Sequence, residues 1–129
     1  MIIQIEPQSD VAIYKQITNQ LIEGIARGHL RHGDSLPSVR AFAADLGVNM
    51  HTVNKSYHEL EKRGIIKIVP KSGAVIEAQT KLLQGSPHAK RIQHELKTVI
   101  AEALVLGMKT EQLEQELAMI MEDLKHNKQ

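Results

Sequence analysis

The chain has 129 residues, of which 42% are hydrophobic and 24% charged; it has no cysteine, and its formal net charge is +1. That balance fits a folded chain, either one domain or a small domain with an appendage, and it excludes disulfides, thiol catalysis and cysteine-ligated zinc. Aromatic residues make up only 2%, namely Tyr14, Phe42 and Tyr57, so the core must be aliphatic and base stacking on aromatic platforms is disfavoured.

Residues 1–11 read as an extended arm, because Pro7 disfavours an early helix. The opening Met1-Ile2-Ile3-Gln4 lacks the shape of a signal peptide, and no apolar run reaches the length of a membrane span. A cytoplasmic protein with no membrane partner is therefore expected. The first helix is expected over residues 12–27, with Ile13, Ile17, Leu21 and Ile25 on one face, Asp10 as N-cap and Gly28 as stop. Gly33-Asp34 marks a turn, and Ser35-Leu36 a very short strand. Ser38 reads as the N-cap of a second helix over residues 39–46, whose apolar face is Val39, Phe42, Ala43 and Leu46 and whose stop is Gly47. Asn49 caps a third helix over residues 50–63, with Val53, Tyr57 and Leu60 inward and Gly64 at its end. Tyr57 is expected to be half-buried against the first helix. Two helices joined by a short glycine-containing turn form a helix-turn-helix pattern, although any small helical hairpin uses the same caps.

Residues 65–69 are β-branched and strand-like, Pro70-Lys71-Ser72-Gly73 is a turn, and residues 74–77 form a second strand. A β-hairpin directly after a helix-turn-helix is a wing, and Lys71 at its tip could reach a phosphate or a minor groove. Ser86 then caps a fourth helix with Pro87 at its first position. Ile92, Leu96, Val99, Ala103 and Leu106 step along it by 4, 3, 4 and 3, and Gly107 closes it. Thr110 is expected to cap a fifth helix, with Glu111 at its positive end, and Leu113, Leu117, Ile120 and Leu124 step by 4, 3 and 4. The expected fold is mainly α with a small β-wing: residues 1–78 form a winged helix-turn-helix, and residues 79–129 form a short C-terminal two-helix dimerisation region. Those nine stripe residues are the candidate dimer surface, since two helices alone have little core.

Charge is nearly even in both parts: residues 1–78 carry nine Lys/Arg against eight Asp/Glu, and residues 79–129 carry seven against seven. Between Asn49 and Lys71, however, Lys55, Lys62, Arg63, Lys67 and Lys71 face only Glu59 and Glu61, with His51 and His58 added. This is either a basic patch for a polyanion or an ordinary solvated helix surface.

The run Leu36-Pro37-Ser38-Val39-Arg40-Ala41-Phe42-Ala43-Ala44-Asp45-Leu46-Gly47-Val48, followed by Thr52-Val53 and Gly64-Ile65-Ile66, resembles the winged helix-turn-helix of the GntR regulator family. Ile13-Tyr14-Lys15-Gln16-Ile17 and Gly28-x-Leu30-x-x-Gly33 match as well, so the likeness spans most of residues 12–77. The short C-terminal part is too small for the effector domains of most branches and looks like the YtrA-type branch. The resemblance implies a homodimeric repressor that binds palindromic double-stranded operator DNA, with genes for export transporters as common targets in that branch.

It also implies DNA contact by Arg40. Ser38 caps the second helix at an end open to a phosphate. Asn49, Met50, His51 and Thr52 open the recognition helix, whose first residues meet base edges, and Asn54, Lys55, Lys71 and Gly73 complete the candidate surface. Asn49 has two competing roles, cap and base contact. Many relatives carry arginine where Met50 stands, which suggests an altered base preference. The family's wing arginines and early glycine are replaced here by Val69-Pro70-Lys71.

No cofactor or metal is expected, since His29 and His32 lie at a helix exit and His88 and His94 do not share a face. No nucleophile with a paired base and no phosphate loop suggests an enzyme. The reading from another class is a winged-helix protein-interaction module that never binds DNA. A small-molecule effector between wing and C-terminal helices is a further option, with no residues that mark a pocket.

Overall fold

The computed structural model describes residues 3–77 and 84–126, and those two stretches belong to two compact units. The expected boundary between residues 78 and 79 lies outside the described residues. The first unit holds α1 (Ile13–Ala26), β1 (Ser35–Leu36), α2 (Val39–Leu46), α3 (Met50–Lys62), β2 (Ile66–Val69) and β3 (Gly73–Ile76). The second holds α4 (Pro87–Val105) and α5 (Thr110–Lys125). No helix among the described residues is long and apolar enough to cross a membrane.

Apolar spacing places the three helices of the first unit around one core. Ile17 and Leu21 of α1, Ala43 of α2, and Val53, Tyr57 and Leu60 of α3 are buried, together with Leu36, Ile66, Ala74 and Ile76 from the strands. Ile13, Ile25, Val39, Phe42 and Leu46 pack around them, half-buried. Helix ends follow local chemistry. Ser38 Oγ accepts the Ala41 N–H at 3.2 Å and starts α2, and Gly47 ends it at φ 70°, a left-handed conformation that costs glycine little.

Two caps differ from expectation. Asp10 does not cap α1; Ala12 stands at that position and gives no side-chain bond. Thr110 is already helical, and the backbone N–H of Lys109 before it donates to Gln112 Oε1 at 2.9 Å. The glutamine reaches back one turn and satisfies the donor that a capping hydroxyl would have left open.

The arm before α1 is held down. Gln16 accepts the Glu6 N–H at 2.8 Å and donates to the Glu6 and Val11 carbonyls at 3.0 and 2.8 Å. Gln20, one turn later, accepts the Gln4 N–H at 2.9 Å and donates to the Gln4 carbonyl at 2.7 Å. These two amides replace the partners that an extended arm would otherwise find in a sheet.

The sheet is antiparallel in the order β1-β3-β2, with Leu36 opposite Ala74 and Ile68 opposite Ala74 on the other side. β1 therefore ties the segment before α2 to the inner strand of the wing. Glu61 of α3 accepts the Ile68 N–H of β2 at 2.9 Å, which closes a donor on an edge strand.

In the second unit Ser86 Oγ accepts the Ala89 N–H at 3.2 Å and Pro87 opens α4, as the sequence predicts. No residue of α4 or α5 is buried. Val99 and Leu106 are 64% and 79% exposed. An open cleft of about 530 Å³ lies at the corner between the two helices, lined by Ala103, Leu106, Met108, Gln112 and Met119 among others.

Candidate nucleic-acid interface

With Val53, Ser56, Tyr57 and Leu60 buried, the opposite face of α3 is fixed by helical geometry. His51, Lys55, His58 and Lys62 stand there at intervals of four, three and four, and all four are exposed. The acidic residues of α3 have other partners. Glu59 pairs with Arg63 at 2.8 Å, and Glu61 is bonded to the Ile68 N–H. The outward stripe is therefore wholly basic or imidazole-bearing. His58 and Lys62 belong to it, although the sequence assigned them only to a charge run; the signal was their spacing from His51.

The end of α3 that faces outward is polar. Asn49 Oδ1 accepts the His51 N–H at 2.7 Å, so its carbonyl oxygen serves the cap and only its amide NH₂ remains for another partner. Met50 is 39% exposed, Thr52 is half-buried and Asn54 is exposed. Lys55 is exposed but not free-standing: its Nζ lies 4.2 Å from the centre of the Tyr14 ring of α1. Arg40 is exposed in the first turn of α2, next to the half-buried cap Ser38.

Tyr57 is deeper than the half-buried position expected, and it has neighbours beyond the first helix. It is fully buried, its hydroxyl donates to the Pro37 carbonyl at 2.8 Å, and its ring centre lies 6.2 Å from that of Phe42. Burial pushes the hydroxyl's pKa well above the ordinary tyrosine value. The tyrosine thus anchors the turn before α2, which carries Ser38 and Arg40. On its other flank α3 is joined to α1 by a buried pair, Ser56 Oγ and Thr18 Oγ1 at 2.8 Å. Thr18 donates onward to the Tyr14 carbonyl at 2.8 Å, so Ser56 is the donor to Thr18. Nothing in the apolar periodicity marks this pair.

At the wing, Ser72 N–H bonds the Val69 carbonyl at 2.9 Å across Pro70 and Lys71. Lys71 adopts φ 67°, so the turn is of the type II kind, with proline at its second position and a left-handed residue at its third. The Lys71 side chain is exposed at the tip. Gly73 is not. It is buried at φ 102°, and a Cβ there would meet the carbonyl oxygens of Leu36 and Pro37. The backbone of Leu36 and Pro37 lies directly over it, which is why the position needs a glycine.

Residues 13–76 match the bacterial regulatory proteins of the gntR family. Over 128 residues the chain is 38% identical to the HTH-type transcriptional repressor YtrA of Bacillus subtilis (strain 168), covering 98% of this chain and 97% of that one. The chain belongs to the GntR family. Among solved structures, this GntR protein is similar to a transcriptional antiterminator from Listeria monocytogenes EGD-e, with a TM-score of 0.85, 31% identity, and coverage of 96% of this chain and 92% of the other. It is also similar to YtrA from Sulfolobus acidocaldarius, a GntR-family transcription factor, with a TM-score of 0.65, 41% identity, and coverage of 81% and 99%. This GntR protein is a DNA-binding transcription regulator with a winged helix-turn-helix, and it is not an enzyme. The protein-interaction reading without DNA gives way to that membership.

Proposed function

We propose that this GntR regulator is a repressor that binds a palindromic operator as a homodimer, with α3 in the major groove of each half-site. The observation that carries the reading is the outward face of α3, where His51, Lys55, His58 and Lys62 stand in one stripe, with Glu59 paired to Arg63 and Glu61 turned to the Ile68 N–H. The N-terminal residues Asn49, Met50, His51 and Thr52, with Asn54 one turn in, meet base edges, as recognition helices do. Met50 supplies an apolar contact, suited to a thymine methyl, where an arginine would read guanine. Arg40 and the N-terminal end of α2 at Ser38 take the flanking strand, and Lys71 takes a phosphate from the wing.

The dimer follows from the second unit. Two helices without one buried residue, bearing Ile92, Leu96, Val99, Ala103 and Leu106 on one and Leu113, Leu117, Ile120 and Leu124 on the other, have an apolar stripe in need of cover. A second copy supplies it by two-fold symmetry and doubles the half-sites. The repressor YtrA resembles the chain over nearly its whole length, which supports repression as the sign of regulation. Control of a transporter operon is the target this reading adds.

Selection of bound fragments from genomic DNA tests the proposal. An inverted repeat with half-sites about one helical turn apart, or a multiple of it, is expected. A single half-site bound by one protomer would sink it. On the recovered duplex, Arg40→Ala is expected to cost about 1–3 kcal/mol of binding, measured by titration calorimetry. Unchanged affinity in a folded variant removes Arg40 from the interface.

A further inference from the structure

We infer that Tyr14 of α1 is a positioning residue for DNA binding: its ring holds the Lys55 ammonium at the edge of the recognition helix, set to meet a backbone phosphate. The inference rests on the DNA-facing reading of α3 given above and adds a residue outside the helix-turn-helix to it.

Lys55 Nζ stands 4.2 Å from the Tyr14 ring centre, within the range of a cation–π contact. Among the described residues no carboxylate pairs with Lys55, whereas Arg27, Arg63 and Arg91 each pair with a glutamate four residues away. The ring therefore holds the side chain without neutralising its charge. A carboxylate would do the opposite, since a phosphate would then have to displace it.

The spacing between ring and ammonium is set by the backbone. Ser56, the residue after Lys55, is bonded to Thr18 at 2.8 Å, and Thr18 is bonded to the carbonyl of Tyr14 at 2.8 Å. This buried hydroxyl chain fixes how α3 sits against α1 at the very turn that carries Tyr14. On α3, Lys55 lies on the side of the outward stripe nearer Ser56 and hence nearer α1, one turn beyond His51. That places the ammonium at the margin of the groove rather than over its base edges, where a point charge suits a phosphate. A lysine side chain is among the richest in rotamers, and ordering it before the encounter removes part of the entropy that binding would otherwise cost.

The test uses the full chain and the operator duplex recovered by fragment selection, with binding read by fluorescence anisotropy over a series of KCl concentrations. Lys55→Gln is expected to weaken binding roughly fivefold to tenfold near 0.1 M salt and to lower the salt slope by about 1. Tyr14→Leu should cause a smaller loss, and the double variant should be no weaker than Lys55→Gln alone. Tyr14→Phe, which keeps the ring, should bind as the parent does. In the free protein, the Lys55 Cε protons should show an upfield ring-current shift that Tyr14→Phe keeps and Tyr14→Leu removes. Tyr14→Met replaces the leucine variant if the latter unfolds. Additive losses in the double variant, an unchanged slope in Lys55→Gln, or a Phe variant as weak as the Leu variant would each overturn the role of Tyr14. A parent protein that binds the duplex no better than random DNA would instead defeat the reading of α3, and the role of Tyr14 with it.

Discussion

Lys71 occupies a backbone conformation that glycine or asparagine adopts more readily, with φ 67° at the wing tip. A lysine there costs the fold about 1–2 kcal/mol, and its charge stands at the point of the wing that extends furthest from β2 and β3. Lys71→Gly is therefore expected to raise stability by up to about 1 kcal/mol, after glycine's own entropy is counted, while it weakens binding to all duplexes alike and lowers the salt slope by about 1. Urea unfolding and a salt titration check the two halves; a loss confined to one base position would contradict a phosphate role. Tyr57 shows the reverse balance, a polar atom used wholly for structure. Its hydroxyl bond to Pro37 makes Tyr57→Phe cost about 1–2 kcal/mol, measurable by thermal unfolding. Because burial raises its pKa, the unfolded chain loses the phenolic proton first, so this contribution is present in full below about pH 10 and falls as pH rises further. The phenylalanine variant should show a flatter stability profile above that pH.

The elements of the first unit were legible because each has a punctuating residue and a periodic face. Ser38, Gly47 and Asn49 bound the two central helices, and the structure places α2 and the start of α3 at the predicted positions. The hairpin of β2 and β3 was legible, but the pairing of β1 was not. That Ser35-Leu36 joins β3, making the wing three-stranded, depends on contacts between residues nearly forty positions apart. Gly73 is the residue most changed by that pairing, since β1 and Pro37 lie directly over it. Gly73→Ala should destabilise the fold by about 1–3 kcal/mol or more, through overpacking and a strained φ together, read as a lower urea midpoint. A midpoint equal to the parent's would mean that the β1 turn can lift away from the wing. The caps of α1 and α5 show why local reading misses termini: Ala12 has no side-chain bond, and Gln112 reaches back from inside α5. In both places a candidate hydroxyl or carboxylate stood nearby, and the backbone took another course.

At the scale of the molecule, the winged unit has a core of its own, and the α4–α5 unit has none among the described residues. Burying a leucine or valine contributes about 1.5–3 kcal/mol, so the exposed Ile92, Leu96, Val99, Leu106 and Ile120 are a large unused term until a partner covers them. Leu96→Asp is expected to shift the protein from dimer to monomer at micromolar concentration in sedimentation equilibrium, and to reduce operator affinity by loss of the paired half-site. A dimer of undiminished stability in that variant would move the interface off α4.

The amino-acid sequence alone determined the element order, the inward faces, the wing and the family, because caps, glycines and apolar periods act within a few residues of one another. It also placed Arg40, His51 and Lys71 on exposed positions. Only tertiary structure decided that Tyr57 anchors Pro37, that Gly73 lies under β1, that Glu59 and Glu61 are spent elsewhere, and that Lys55 rests on Tyr14. Most of these depend on which side chains meet across the core or the sheet, and such meetings follow from packing geometry that no local pattern encodes.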